Sequence, residues 1–309
     1  MLKEFKSGLR AACHSSGGVI CSGAILLIAA SAPAQSLFVS VSYYTVPFAP
    51  SSTIVAIAPD GTQTLFASGL GEPFGPVFDS AGNLFEADYY TGNIYQFTPA
   101  GAQSTFATGL NAPIGLAFDA AGDLFEADCF SGNIYQFKPD GTQSTFASGL
   151  INPVSLAFDN VGNLFVGDQG SGNIYKFTPG GAQSTFASGL AGLYGLAFNS
   201  AGDLFEADGS SGNIYQFTPG GARSTFASGL NNPDALAFDG AGNLYVADLS
   251  SNIYEFTPGG AQSTYAVLSG VPEGLAFDPD PVPEPSVLGL LAGAAVALFV
   301  CYQFLGRGR

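Results

Sequence analysis

The chain alternates short apolar runs with polar turns in a near-constant register. Between residues 35 and 281 each period holds four runs of four to six residues, rich in Phe, Tyr, Ile and Leu. In one copy the runs are 115–118, 124–127, 134–137 and 144–147, bounded by Asp, Gly, Asn or Pro. Apolar runs this short between turn-forming residues predict antiparallel strands joined by hairpins. The tripeptide Asn-Ile-Tyr begins at Asn93, Asn133, Asn173, Asn213 and Asn252, at spacings of 40, 40, 40 and 39, and Thr53 to Pro59 is a degenerate sixth copy. Four strands every 40 residues make the unit of a β-propeller blade, whereas solenoid repeats of similar period usually carry fewer strands.

Strand counting sets the number of blades. First strands start at Gly75, Gly115, Ser155, Gly195, Ala235 and Gly274, and second strands at Leu37, Leu84, Leu124, Leu164, Leu204 and Leu244. The pattern therefore opens on a second strand and closes on a first. A linear array would leave both ends as unpaired edges. A ring lets the last strand complete the blade that the N-terminus begins. The expected fold is all-β, a closed six-bladed propeller of four-stranded blades.

The two ends read differently. Lys3, Lys6 and Arg10, the apolar run 17–30 and Ala32-Pro33-Ala34 make residues 1–34 a secretory signal peptide. Residues 286–305 carry no charge and suit one C-terminal transmembrane helix, with Arg307 and Arg309 on the cytoplasmic side. The expected domains are thus the signal peptide 1–34, the propeller 35–281 and a tail 282–309.

Charge and rare residues limit the chemistry. Residues 35–281 hold 22 Asp or Glu against Lys138, Lys176 and Arg223, a formal net charge of −19. Such a surface repels nucleic acid and anionic membranes, and leaves divalent cations and neutral sugars as plausible contacts. Calcium-bridged matrix assembly is one alternative, with Ca2+ or another divalent cation as the cofactor. The single histidine, His14, falls in the signal peptide, so no Ser-His-Asp or Cys-His set can form in the exported part. Cys129 is the only cysteine of the propeller, which excludes an internal disulfide there. Tyr89, Gln169, Gly209 and Leu249 stand at its place in other copies, so it reads as an incidental thiol.

Repeated acids read as architecture. Asp79, Asp119, Asp159, Asn199, Asp239 and Asp278 end the first strands, and Asp88, Asp128, Asp168, Asp208 and Asp248 end the second. Asp and Asn at such places accept backbone hydrogen bonds within turns. Glu86, Glu126 and Glu206 exchange with Val166 and Val246, which predicts a partly exposed strand face. Aromatics such as Phe125, Tyr135 and Phe137 are expected to pack blade against blade. A single site must instead use positions that differ among copies. The position just before the first strand does so: Phe74, Ile114, Val154, Tyr194, Asp234 and Glu273.

Two resemblances follow from quoted motifs. Pro283-Glu284-Pro285, an apolar helix and the terminal Arg307 and Arg309 resemble the PEP-CTERM sorting signal of Gram-negative bacteria. That implies an exosortase-type enzyme as partner, transient membrane anchoring, and delivery to the cell surface or to a matrix rich in exopolysaccharide. The text "GLAFDAAGDLFEADCFSGNIYQFKPDG" is similar to the NHL repeat and, more loosely, to the gluconolactonase and virginiamycin-lyase propellers. The gluconolactonase likeness implies that the six pre-strand positions face the central opening, where acids on several blades hold a metal. Only Asp234 and Glu273 could ligate, and Phe74 stands where that family has an acid. The lyases require histidine. The sequence therefore favours a non-catalytic binding or structural module for exopolysaccharide or surface proteins, with a metal-dependent lactonase or hydrolase as the alternative.

Overall fold

The computed structural model describes residues 35–43 and 52–279, and these form 24 strands in six four-stranded sheets. Blade 1 contains β1 (Leu37–Ser42), β2 (Ser52–Ile57) and β3 (Gln63–Leu70). Blade 2 follows as β4 (Pro73–Phe78), β5 (Leu84–Asp88), β6 (Asn93–Phe97) and β7 (Gln103–Ala107). Blade 3 is β8 (Pro113–Phe118), β9 (Leu124–Asp128), β10 (Asn133–Phe137) and β11 (Gln143–Ala147). Blade 4 is β12 (Pro153–Phe158), β13 (Leu164–Asp168), β14 (Asn173–Phe177) and β15 (Gln183–Ser188). Blade 5 is β16 (Leu193–Phe198), β17 (Leu204–Asp208), β18 (Asn213–Phe217) and β19 (Arg223–Ala227). Blade 6 is β20 (Pro233–Phe238), β21 (Leu244–Asp248), β22 (Asn252–Phe256) and β23 (Gln262–Val267), and β24 (Val271–Phe277) returns to blade 1.

The order β24-β1-β2-β3 confirms the closure expected from the strand phase. Leu37 pairs with Phe277 and Val39 with Leu275, and Ser36 N–H donates to Asp278 Oδ1 at 2.7 Å. Innermost strands touch around the ring, β24 against β4 included. The sequence placed their starts at Gly75 and Gly115, but β4 and β8 begin two residues earlier, at Pro73 and Pro113, and the third residue of each is small for a physical reason. A Cβ on Gly75 would fall on the Ile114 carbonyl oxygen, and one on Gly115 on that of Val154. Burial falls outward from there: the second strands of blades 2 to 6 are wholly buried, while the first three residues of the outer strands are exposed.

Neighbouring blades are stapled by rings. Phe85 meets Phe106 and Phe118 edge-to-face, both at 5.1 Å, and Phe106 continues to Phe137 at 5.7 Å. Blade 2 thus grips blade 3, and Phe125, Phe165 and Phe205 repeat the arrangement. At the closing interface Tyr245 and Tyr265 replace two of the phenylalanines, and Phe277 keeps the third place. The turns are as the sequence predicts. Asp119 Oδ1 accepts from Ala121 and Asp123 N–H, both at 2.9 Å, and Gly122 follows at φ 84°.

One expectation is overturned. Glu86, Glu126 and Glu206 are fully buried, not on a partly exposed face. They lie on the side of each second strand that meets the preceding blade, as Ser40 Oγ of blade 1 donating to Glu86 Oε1 at 2.8 Å shows. Val166 and Val246 fill the same position inside apolar clusters, so the exchange reports a buried face. Residues 1–34, expected to be a signal peptide, and 282–309, expected to be a sorting tail with a helix over 286–305, lie outside the described residues. Among the described residues no helix is long and apolar enough to cross a membrane.

Candidate functional site

Strand direction decides which loops share an end. First strands run away from the pre-strand loops, and second strands run back to them. The loops after second strands therefore join the pre-strand loops at one end of the ring. A cavity of about 540 Å³ opens there, lined by Phe74, Ile114, Val154, Tyr194, Asp234 and Glu273. All six positions singled out as repeat-breaking share this one wall, but they lie inside the first strands and not before them, as the second residue of β4, β8, β12, β16 and β20 and the third of β24.

The cavity is chemically lopsided. On blades 6 and 1, Asp234 and Glu273 form a hydrogen-bonded carboxyl pair. Burial, then the Glu273 charge beside it, hold the Asp234 carboxyl well above the usual carboxylate range. Among the described residues no three His, Cys, Asp or Glu side chains cluster as a metal site. The donor set thus does not fit the multi-acid metal centre that the gluconolactonase likeness implies, since Phe74, Ile114 and Val154 offer no ligand atoms.

On the neighbouring blades 2 and 3 the wall is aromatic. Phe74 meets Tyr89 edge-to-face at 6.0 Å, and Tyr89 meets Phe130 at 5.7 Å. On blades 3 and 4 the wall adds a polar seam. The Cys129 thiol donates to Asn152 Oδ1 at 2.6 Å, and Asn152 Nδ2 donates to Gln169 Oε1 at 3.0 Å. Burial and the neighbouring acids push the Cys129 thiol up to about 11, so it is no nucleophile near neutrality. On blade 5 the place of Cys129 is Gly209, where a Cβ would collide with the Tyr194 ring and Asn232.

Glu72, Tyr89, Phe130, Asn152 and Gln169 also line the cavity and were not among the residues expected. A signal for them was present. Position 72 reads Glu72, Ala112, Asn152, Gly192, Asn232 and Val271 through the copies, as irregular as its neighbour two residues on. The repeated acids, by contrast, are structural. Asp88 Oδ2 accepts from Gly71 N–H at 2.7 Å and Asp88 Oδ1 from Thr91 N–H at 3.0 Å. Asp128 binds Asn111 and Ser131 N–H in the same way. Each thus fixes the following turn, as expected, and also the loop that carries a cavity residue.

Fold and cavity together define a closed six-bladed propeller with one asymmetric pocket at its end. No protein-family model matches the chain, and no curated protein matches it by sequence. Solved structures do match. A chain of the nidogen/laminin complex aligns over 80% of this chain and 98% of its own, at TM-score 0.69 and 21% identity. A catalytically inactive virginiamycin B lyase from Staphylococcus aureus, solved with quinupristin, covers 79% and 97% at TM-score 0.60 and 16% identity. A gluconolactonase from Xanthomonas campestris covers 76% and 86% at TM-score 0.63 and 17% identity. At such identities the likeness establishes the propeller fold, which hosts both binding and catalytic proteins.

Proposed function

We propose that this chain is an exported propeller that binds extracellular polysaccharide, or a surface protein, through the cavity end without chemical turnover. The observation that carries the reading is the cavity wall. Its side chains differ from blade to blade on a ring that otherwise repeats, and they pair aromatic faces with buried acceptors. Such a wall orients a ligand, because rings supply contact area and a few polar groups supply direction. It offers no histidine base, and its thiol stays protonated. In this reading the leader directs export, and an exosortase-type partner processes the Pro283-Glu284-Pro285 tail at the membrane before release to the surface or matrix. The nidogen/laminin neighbour, solved as a complex, supports the view that this fold serves binding to another protein.

Screening the chain on an array of acidic, neutral and amino glycans tests the proposal. Saturable binding lost in a Phe74→Ala variant is expected, and silence across all three classes refutes a polysaccharide ligand and leaves a surface protein. The hydrolytic reading is separated by offering sugar lactones to the unmutated protein. Turnover that disappears in Asp234→Ala would replace the binding reading with a catalytic one.

A further inference from the structure

Blade 4 breaks the repeat at two polar positions that share one corner of the cavity. The first is Ser155. Where the other innermost strands carry Gly75, Gly115, Gly195, Ala235 and Gly274, blade 4 carries a hydroxyl. Ser155 is 8% exposed, lines the cavity, and makes no side-chain hydrogen bond among the described residues. A buried hydroxyl without a partner in the protein calls for one from outside it. The second is Gln169, which stands where other copies have Tyr89, Cys129, Gly209 and Leu249.

The corner is built before any ligand arrives. Gln169 N–H donates to the Asn152 carbonyl at 3.0 Å, and the Asp168 carboxylate accepts from Ile151 N–H at 2.9 Å. The loops before β12 and after β13 are thereby clamped side by side. Their side chains follow. Asn152 Oδ1 is taken by the Cys129 thiol and Gln169 Oε1 by Asn152 Nδ2, while Gln169 Nε2 donates to the Leu193 carbonyl at 3.3 Å. An amide nitrogen carries two hydrogens. Each nitrogen therefore keeps one donor beyond the seam, whereas both amide oxygens are engaged. Ile114 and Val154 line the cavity on the same two blades and add apolar surface.

This set discriminates between sugar substituents. A carbonyl oxygen can accept from the amide nitrogens, an N–H can donate to Ser155 Oγ, and a methyl group can pack on Ile114 and Val154. An acetamido group presents all three and carries no charge. A plain hydroxyl matches the polar groups but sets nothing against the apolar pair. A carboxylate suits the donors but is repelled by a domain carrying a net charge of −19. An ammonium group meets the amide nitrogens as donor against donor. At the rim Tyr90 and Phe130 are exposed, and Phe130 touches Tyr89 at 5.7 Å, so flat rings await the sugars on either side. The cavity volume of about 540 Å³ lies within the range of small-ligand sites.

We infer that the blade 4 corner holds the acetamido group of an N-acetylated amino sugar, within a saccharide whose neighbouring rings lie over Phe130 and Tyr90. This deepens the binding-module reading and rests on it. The test is calorimetric titration of the full chain with pentamers of N-acetylglucosamine, glucosamine and glucose. The acetylated pentamer should bind about tenfold more tightly than either of the others, and added salt should leave the preference intact. Gln169→Leu installs the residue of blade 6 and Ser155→Gly that of blade 2, so both suit the fold. Each should shrink the preference, and together they should erase it, while Phe130→Ala should weaken every pentamer that binds. Equal binding of the three pentamers would overturn the inference while leaving the binding module standing. So would a preference that survives the double replacement, or tighter binding of the glucosamine pentamer that fades with salt. Binding to none of the three overturns it too, and array silence as well would remove the polysaccharide reading beneath it.

Discussion

At the scale of single residues, the buried glutamates are the sharpest departure from an apolar propeller core. Both Glu126 and both Glu206 carboxyl oxygens are buried without a hydrogen-bond partner, and Glu86 has one partner, Ser40. Burial is the main cause that raises all three, with Asp88, Asp128 and Asp208 adding to it, and Arg223 opposes it at Glu206. Glu206 reaches about 9 from an ordinary 4.5. A carboxyl with a raised folded value is bound neutral, so its contribution is fully present below about 4.5 and is lost as pH climbs toward 9. By linkage that loss is roughly 3 kcal/mol at pH 7 for Glu206. Glu206→Val, which installs the residue that blades 4 and 6 use, should therefore raise the melting temperature at pH 8 and change little at pH 4. An equal effect at both pH values would show that charge burial is not the cause. Ser40→Ala makes a paired prediction. It leaves Glu86 Oε1 unsatisfied and should destabilise the fold by about 1–3 kcal/mol. Added to Glu86→Val, the same change should be close to neutral, which a double-mutant cycle of denaturation midpoints would read. The Val/Glu exchange hid this burial from the sequence, because the packing that buries the carboxyl comes from the preceding blade.

At the scale of elements, blades 2 to 6 are each held by two devices that recur with the repeat. The edge-to-face rings join each to the next blade, and the aspartate after its second strand ties two loops together. Asp168 shows the second device: its carboxylate accepts from Ile151 N–H at 2.9 Å and from Ser171 Oγ at 2.7 Å. Asp168→Ala frees both and should cost about 2–3 kcal/mol, since these are hydrogen bonds to a charged group. It should also loosen the loop around Asn152. Hydrogen exchange should thus rise at residues 150–152 more than in blade 6, while uniform acceleration around the ring would contradict a local clamp. Such devices were legible from the sequence because they repeat: turn acids, glycines and apolar runs keep one spacing. The cavity was legible only in part. Asp234 and Glu273 broke a visible ring of positions, but Tyr89 and Phe130 sit on a different loop. Their approach to Phe74 depends on how antiparallel strands return to one end, which no local pattern states.

For the whole molecule, stability hinges on closure. Blade 1 is built from both ends of the described chain, so β24 is the clasp that seals the ring. Without it β1 becomes an open edge, and β4 and β20 lose the innermost strand between them. A chain stopped after Ser269 should therefore aggregate or unfold without a cooperative transition, since unpaired edges and an unfilled ring favour association. A circular permutant separates loss of the strand from loss of the terminus. Asp278 N–H donates to Ser36 O at 3.0 Å, so the two ends already lie side by side like the stem of a hairpin. A linker of a few residues from Pro279 to Gln35 can bridge them. New ends belong at the exposed turn 218–220, at the end of the ring away from the cavity. This permutant should fold, melt within several degrees of the parent and keep any ligand binding, because every sheet hydrogen bond survives. If it failed while the ends were joined, the ring would owe its stability to something beyond the clasp. If the truncated chain folded cooperatively, the clasp would not be needed at all.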